Sequence, residues 1–156
     1  MIPQSLVDKI RNAGTFNKGY DETEVLAASA LDLQWHKLSA TDKVTDVDEF
    51  EKQALHVTGL DLPQVPTRYR SSYFLHIWSN GYAAGYYAYT WTKILEEDAY
   101  SWFEEHDGLT RANGQRFRDM ILSKGNTEDY NIMFRNFRGR DVDIKAMQKA
   151  LGLPTN

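Results

Sequence analysis

Apolar residues recur at intervals of three and four along most of this chain, which is the spacing of one face of an α-helix. The first such run carries Leu6 and Ile10, with Pro3 just before it and Gly14 after it. Proline is favoured in the first turn of a helix and glycine just past its end, so a short helix is predicted here. Residues 15–20 are predicted to form a loop.

Two further helices are predicted before the middle of the chain. The first covers residues 21–38, because Asp21 and Glu24 have the spacing of a capping box. Its apolar positions cover a broad face, which predicts a largely buried helix: Val25, Leu26, Ala30, Leu31, Leu33 and Leu38. The second covers residues 46–57 and begins with another acidic cap. Residues 58–67 contain two prolines and a glycine, which favours an extended connection.

The second half of the chain continues the helical pattern. A helix is predicted from Tyr82 to just before Gly108, the longest element of the chain. Thr110 is predicted to cap the next helix, which reaches Leu122 and ends at Gly125.

Two shorter helices are predicted to complete the chain. Asn126 or Thr127 is expected to cap the first, which closes at Gly139. Asp141 is expected to open the second, which ends at Gly152. The predicted class is therefore all-α, an irregular array of about six or seven helices. No segment resembles a linker, so residues 1–156 are predicted to form a single domain.

Composition narrows the function classes. The formal net charge is −4 and basic residues are spread along the chain, so nucleic acid is not an expected partner. The chain has no cysteine, which excludes thiolate metal sites and thiol nucleophiles. No apolar run reaches the length of a membrane span, so no membrane partner is expected. We expect a soluble protein, cytoplasmic in location with the periplasm as the alternative.

The richest candidate chemistry lies between His76 and Trp91. Tyr82 and Tyr89 are seven residues apart, or two helical turns, so on a continuous helix they would share one face with Tyr86 between them. Phenol and imidazole groups are neutral hydrogen-bond donors that can stabilise charge developing on an oxygen during acyl transfer. Tyr82 and Tyr89 are therefore candidate catalytic residues, and both, with His76, are candidate substrate-binding residues.

The same pattern has a structural interpretation. Aromatic residues at helical spacing are more often packed in a core than placed in a site. Small residues favour the functional interpretation, because they let a backbone or ligand approach the rings: Gly81, Ala83, Ala84, Gly85 and Ala88. Upstream, Arg68 and Arg70 could hold a carboxylate, although an ion pair is the commoner role for such arginines.

Other hydrolase chemistries have weaker support. The four histidines are too far apart for the His-Glu-x-x-His zinc motif, and we expect no metal ligand or cofactor in this chain: His36, His56, His76 and His106. The acidic runs 96–98 and 104–105 are predicted to be solvated helix faces. Ser71 and Ser72 lie near His76, but no nucleophile elbow or orienting acid accompanies them. No phosphate-binding loop is present.

Three segments that together span nearly the whole chain carry a resemblance: TFNKGYDETEVLAASALDLQWHKL, RYRSSYFLHIWSNGYAAGYYAYTW and DAYSWFEEHDGLTRANGQRFRDMILSKGNTEDYNIMF. They are similar to the corresponding stretches of the thimet oligopeptidase family of zinc metallopeptidases, and within it of the bacterial peptidyl-dipeptidases. The resemblance implies the C-terminal part of a peptidase that releases dipeptides from peptide C-termini. The family's zinc ligands are implied to lie upstream, outside this sequence.

The resemblance also implies roles for individual residues. In this family the matching histidine and two tyrosines contact the substrate around the scissile bond, which assigns His76, Tyr82 and Tyr89 to substrate binding and the tyrosines to stabilising the oxyanion. The family's loop is richer in glycine, whereas Asn80 precedes Gly81 here, and asparagine also tolerates a positive φ.

Three hypotheses follow for the chain. In the first it supplies cleft wall and oxyanion donors to a zinc peptidase, is inactive alone, and has a peptide substrate and the N-terminal remainder of the enzyme as partners. In the second it is a stand-alone helical peptide-binding or scaffold protein without activity. In the third it is a serine hydrolase that uses Ser71 or Ser72 with His76. The first also predicts self-association through an exposed apolar face.

Overall fold

The computed structural model describes residues 2–79 and 81–155, and within them all regular structure is helical. The α-helices are α1 (Gln4–Ala13), α2 (Lys18–His36), α3 (Val47–Val57), α4 (Leu75–Trp78), α5 (Ala88–Glu105), α6 (Arg111–Phe117), α7 (Tyr130–Arg138) and α8 (Lys145–Ala150). A 3₁₀ turn, Ser71–Tyr73, precedes α4, and a π-helical segment, Arg118–Leu122, continues α6. The predicted all-α class is confirmed.

The chain forms two compact units, Met1–Thr90 and Trp91–Asn156. That the whole chain behaves as one domain stays a prediction. In the described residues no helix is long and apolar enough to cross a membrane. The cytoplasmic location stays a prediction.

Helices α1 to α3 lie close to their predicted positions, with one error at a start. Helix α2 begins at Lys18, three residues before the predicted cap Asp21, because Asn17 adopts a left-handed conformation that turns the chain into the helix. With 19 residues it is also longer than α5, which has 18. Asp46 caps α3 as predicted, since its carboxylate accepts hydrogen bonds from the amides of Asp48 and Glu49 at 3.0 Å each.

The buried face of α2 differs from the predicted one. Leu26 and Leu33 are exposed, whereas the buried positions are mostly small or polar: Ala27, Ala28, Ser29, Leu31 and Asp32. Small residues on α2 allow the aromatic side chains of the first unit to approach it closely. The core there consists of Ala28, Phe74, Ile77 and Tyr86, with Val25, Trp35 and Tyr69 packed around it.

The second unit has an aromatic core. It contains Ala99, Trp102, Phe103, Phe134 and Phe137, and partly buried residues of α6 and the π-helical segment pack against it. Thr110 caps α6 as predicted, accepting a hydrogen bond from the Asn113 amide at 3.2 Å. Gly139 ends α7 as predicted, in a left-handed conformation.

Two predicted caps in the second unit are wrong. Asp129, not Asn126 or Thr127, caps α7, accepting from the amides of Asn131 and Ile132. Asp141 does not open α8, which begins at Lys145. The Asp141 carboxylate instead pairs with Arg135, whose Nε lies 2.7 Å from Asp141 Oδ1.

An ion cluster around the buried Asp98 joins α5 to the end of α7 and the residues that follow it. Asp98 is fully buried, so the prediction that it lies on a solvated face is wrong. Arg140 donates to both of its oxygens at 2.6 and 2.7 Å, and Arg138 donates through Nε at 2.9 Å. Arg138 also makes a forked pair with Glu105, at 2.6 and 2.8 Å. The two guanidinium groups that bond to this carboxylate offset the free-energy cost of burying its charge.

Candidate functional site

The tyrosine segment is not a continuous helix. Helix α5 begins at Ala88, so the prediction that it starts near Tyr82 is wrong. Between Ser79 and Ala88 the described backbone makes successive turns, with bonds from the Gly85 amide to the Tyr82 carbonyl and from Ala88 to Gly85, each 3.1 Å. Gly81 at φ 76° and Ala84 at φ 56° interrupt helical geometry. Asn80 lies outside the described residues.

The structure nevertheless brings both predicted tyrosines against the imidazole of His76, the third predicted site residue. The ring centroid of His76 is 5.2 Å from that of Tyr82, which is stacked on it, and 5.8 Å from that of Tyr89. Tyr86 meets the same imidazole edge-on at 5.3 Å and lies 5.1 Å from Tyr89. We call these four residues the His76 cluster. It is assembled by the fold of the turns and α4, not by a shared helix face.

Exposure divides the His76 cluster into two layers. Tyr82 and Tyr89 are 57% and 54% exposed, whereas Tyr86 is 6% exposed. The interpretation of the tyrosines as a core stripe is therefore right for Tyr86 and wrong for the other two. The upper layer presents phenol and imidazole groups to solvent, where a ligand could reach them.

Tyr86 forms the floor of the cluster. Its ring meets Phe74 edge-on at 5.1 Å, and Tyr69 stacks on Phe74 at 4.8 Å. Burial raises the pKa of the Tyr86 phenol, an effect larger than the opposing influence of the Arg68 charge. Tyr86 therefore remains a neutral packing group that supports His76 from below.

Asp32 is a contributor to the site that sequence reasoning missed. It is fully buried on α2, and its two carboxylate oxygens accept hydrogen bonds from the backbone amides of Ala84 (3.0 Å) and Tyr86 (2.9 Å). These bonds connect α2 to the turn that carries the tyrosines. The available signal was the position of this aspartate between two leucines, in LDLQW. A carboxylate among apolar neighbours is buried only when it is paired, so the pattern indicates a partner elsewhere in the chain.

A second buried carboxylate supports the approach to α4. Glu51 on α3 accepts from both the amide and the hydroxyl of Ser71, at 2.8 and 2.9 Å, and also pairs with Arg70. The Trp35 indole donates to the same Ser71 hydroxyl at 2.8 Å. The ion-pair interpretation of Arg70 is thus confirmed, and the Ser71 hydroxyl is held in a structural network away from the role of a nucleophile.

The candidate site offers hydrogen-bond donors. In residues 2–79 and 81–155, no three His, Asp or Glu side chains are close enough together to hold a metal ion. Two exposed phenols and an imidazole on a rigid aromatic floor can donate hydrogen bonds to a carbonyl oxygen or oxyanion.

Comparison with known proteins assigns the chain to a family. The sequence pattern of peptidase family M3 matches residues 1–153, so the chain belongs to that family. It is 52% identical over 152 residues to the dipeptidyl carboxypeptidase of Escherichia coli (strain K12), and 53% identical to that of Salmonella typhimurium. Identity to the oligopeptidase A of Escherichia coli is 32% over 156 residues. Each of these alignments covers 97% of this chain.

The relatives are much longer than this chain. The match spans 22% of the length of each of the three. The higher identity to the two dipeptidyl carboxypeptidases agrees with the resemblance to the peptidyl-dipeptidases.

Proposed function

We propose that this chain forms part of the substrate cleft of a family M3 peptidase that releases dipeptides from peptide C-termini. The observation that carries the proposal is the His76 cluster, in which two exposed phenols and an imidazole converge on a buried aromatic floor. The likeness to two dipeptidyl carboxypeptidases supports the substrate class.

Tyr82 and Tyr89 are the proposed catalytic donors. When a peptide carbonyl is attacked, negative charge develops on its oxygen, and a fixed O–H donor stabilises this charge more than it stabilises the neutral carbonyl. The phenols suit this role because they donate without first losing a proton. His76, packed between the two rings, orients them and contributes its own ring nitrogen to substrate binding.

Zinc is the proposed cofactor of the complete enzyme. Family M3 peptidases are zinc enzymes, and zinc supplies them with an activated water. We propose that the zinc ligands lie in the remainder of the complete protein, since this chain matches only 22% of the length of its relatives. That remainder and a peptide are therefore the partners we propose.

A chimeric enzyme tests the proposal. The matching region of the Escherichia coli dipeptidyl carboxypeptidase is replaced by this chain, and dipeptide release from a blocked tetrapeptide is measured together with zinc content. Tyr82→Phe and Tyr89→Phe are each expected to lower kcat on the order of a hundredfold to a thousandfold, the usual effect of removing one oxyanion donor, with zinc content unchanged.

Tyr87→Phe is the matched control. Tyr87 is exposed on the same segment, and its ring is not one of the three that pack on His76, so its hydroxyl is expected to be dispensable. Unchanged turnover in both the Tyr82 and the Tyr89 variants of an active chimera would contradict the proposed roles.

A further inference from the structure

We propose that Asp32 is a positioning residue for this site: its buried carboxylate fixes the Ala84–Tyr86 turn and so holds the phenols of Tyr82 and Tyr89 in register with His76. This inference rests on the proposed function for its catalytic consequence. Its structural part stands on the contacts of Asp32 alone.

The carboxylate acts as a double acceptor between distant segments. Oδ1 of Asp32 accepts from the Ala84 amide at 3.0 Å and Oδ2 from the Tyr86 amide at 2.9 Å, across 52 and 54 positions of the chain. Tyr82 precedes this turn and Tyr89 follows it. The turn therefore sets the distance between the two candidate donors.

His36 completes the environment of the carboxylate. Its Nδ1 lies 2.8 Å from Asp32 Oδ1 and 2.8 Å from the Asp32 carbonyl oxygen, one turn earlier on α2. Both neighbours are acceptors, so Nδ1 carries a hydrogen and donates. The two oxygens of Asp32 thus accept hydrogen bonds from three N–H groups.

The backbone of the turn needs this anchor. Ala84 has φ 56°, a left-handed conformation that a residue with a Cβ rarely adopts, and its own amide is the one bonded to Asp32. Strained conformations persist where surrounding interactions fix them, and they often occur at functional sites. The hydrogen bond that the Ala84 amide donates to Asp32 is the interaction that offsets the strain at Ala84.

Replacing Asp32 with asparagine separates the hydrogen bonding of the carboxylate from the packing of the side chain. Asp32→Asn keeps the size of the side chain, but its amide group can accept through one oxygen only and places an NH₂ opposite the second backbone N–H. The whole chain, labelled with ¹⁵N, is used to measure hydrogen exchange. Protection of the Ala84 or Tyr86 amide is expected to fall on the order of tenfold in the variant, beyond any change in global stability.

Asp98→Asn is the matched control, since Asp98 is the other fully buried aspartate and bonds in the second unit only. In the chimeric enzyme described above, Asp32→Asn is expected to lower kcat on the order of tenfold to a hundredfold with KM little changed. Asp98→Asn, assayed at a temperature where both variants are folded, should leave kcat near the parental value.

A double-mutant cycle tests whether Asp32 acts through the phenols. In a background carrying both Tyr82→Phe and Tyr89→Phe, Asp32→Asn is expected to leave kcat nearly unchanged, because no phenol donors remain to be misplaced. An undiminished loss in that background would overturn the positioning role, as would unchanged amide protection in the whole chain.

The two proposals fail in different ways. Reduced protection of the Ala84 and Tyr86 amides combined with full turnover of both tyrosine variants would overturn the proposed function while supporting the anchoring by Asp32. Reduced turnover of the tyrosine variants with unaltered kcat in Asp32→Asn would overturn only the positioning role.

Discussion

Arg140 donates two hydrogen bonds, 2.6 and 2.7 Å long, to the buried carboxylate of Asp98, which lies 42 positions earlier in the chain. Burial by itself would raise the pKa of Asp98, but the bonds from Arg140 and Arg138 and from the Asp143 amide outweigh it and hold the pKa below its ordinary value of 3.8.

The second unit is therefore expected to lose stability in acid. Because the pKa of Asp98 is lower in the folded than in the unfolded chain, its contribution is complete above pH 3.8 and disappears as the pH falls through the folded-state value. The pKa of Glu105 is also held below its ordinary value, chiefly by its bonds from Arg138, and acts in the same direction.

Asp98→Asn isolates this effect. We expect it to destabilise the chain by about 3 kcal/mol at neutral pH, since it leaves two guanidinium groups without their shared partner. The difference in the free energy of unfolding between variant and parent should become smaller below pH 3.8. Urea unfolding between pH 7 and pH 2 measures both, and a constant difference throughout would contradict the assigned ionisation.

Ala84→Gly is expected to stabilise the tyrosine turn. Glycine removes the steric cost of the left-handed conformation, roughly 1–2 kcal/mol, and gives back up to about 1 kcal/mol in entropy of the unfolded chain. A gain of up to about 1 kcal/mol in the free energy of unfolding should result. Ala83→Gly is the control: its φ is not positive, so only the entropic loss should appear.

Gly85→Ala is expected to disturb the site, whereas Gly19→Ala should not. A Cβ at position 85 would lie 3.1 Å from the Tyr82 carbonyl oxygen and would push that residue away, while a Cβ at position 19 meets nothing within 4 Å. In α2 the alanine should add roughly 0.5–1 kcal/mol of stability. Thermal unfolding and the His76 and Tyr82 NMR resonances separate the two outcomes.

Helix α1 is expected to promote self-association of the chain. No residue of it is buried, and its apolar face exposes Leu6 and Ile10. Ile10→Lys should raise the dissociation constant of any dimer measured by analytical ultracentrifugation, because the charge would be desolvated on contact. Lys9→Ala on the same helix is the control, and an association that Ile10→Lys leaves unchanged would place the contact elsewhere.

The helices could be predicted where local signals determine them. Asp46 and Thr110 cap helices as their side chains predict, and Gly139 ends one as its freedom at positive φ predicts. The start of α5 could not be predicted, because GYAAGYYA has helical spacing and its turns depend on a carboxylate supplied by a different helix.

The site, like the helices, could be predicted only where local signals in the sequence determine it. The membership of His76, Tyr82 and Tyr89 in one cluster follows from the motif, but the shared helix face predicted for the tyrosines does not exist, because α5 begins only at Ala88. The prediction for Asp98 is wrong, and Asp32 is missed, because the partners that allow each carboxylate to be buried lie far away in the sequence. Only tertiary contacts reveal which acidic residue has found partners.

The bond between Asp32 and the tyrosine turn also limits how this chain can be recombined with its relatives. A crossover placed between positions 36 and 84 would inherit the acceptor from one parent and its amide donors from the other, and the two need not fit. Shuffled libraries should therefore keep residues 32 to 89 from a single parent, with breakpoints outside that block, if the tyrosine turn is to keep its acceptor.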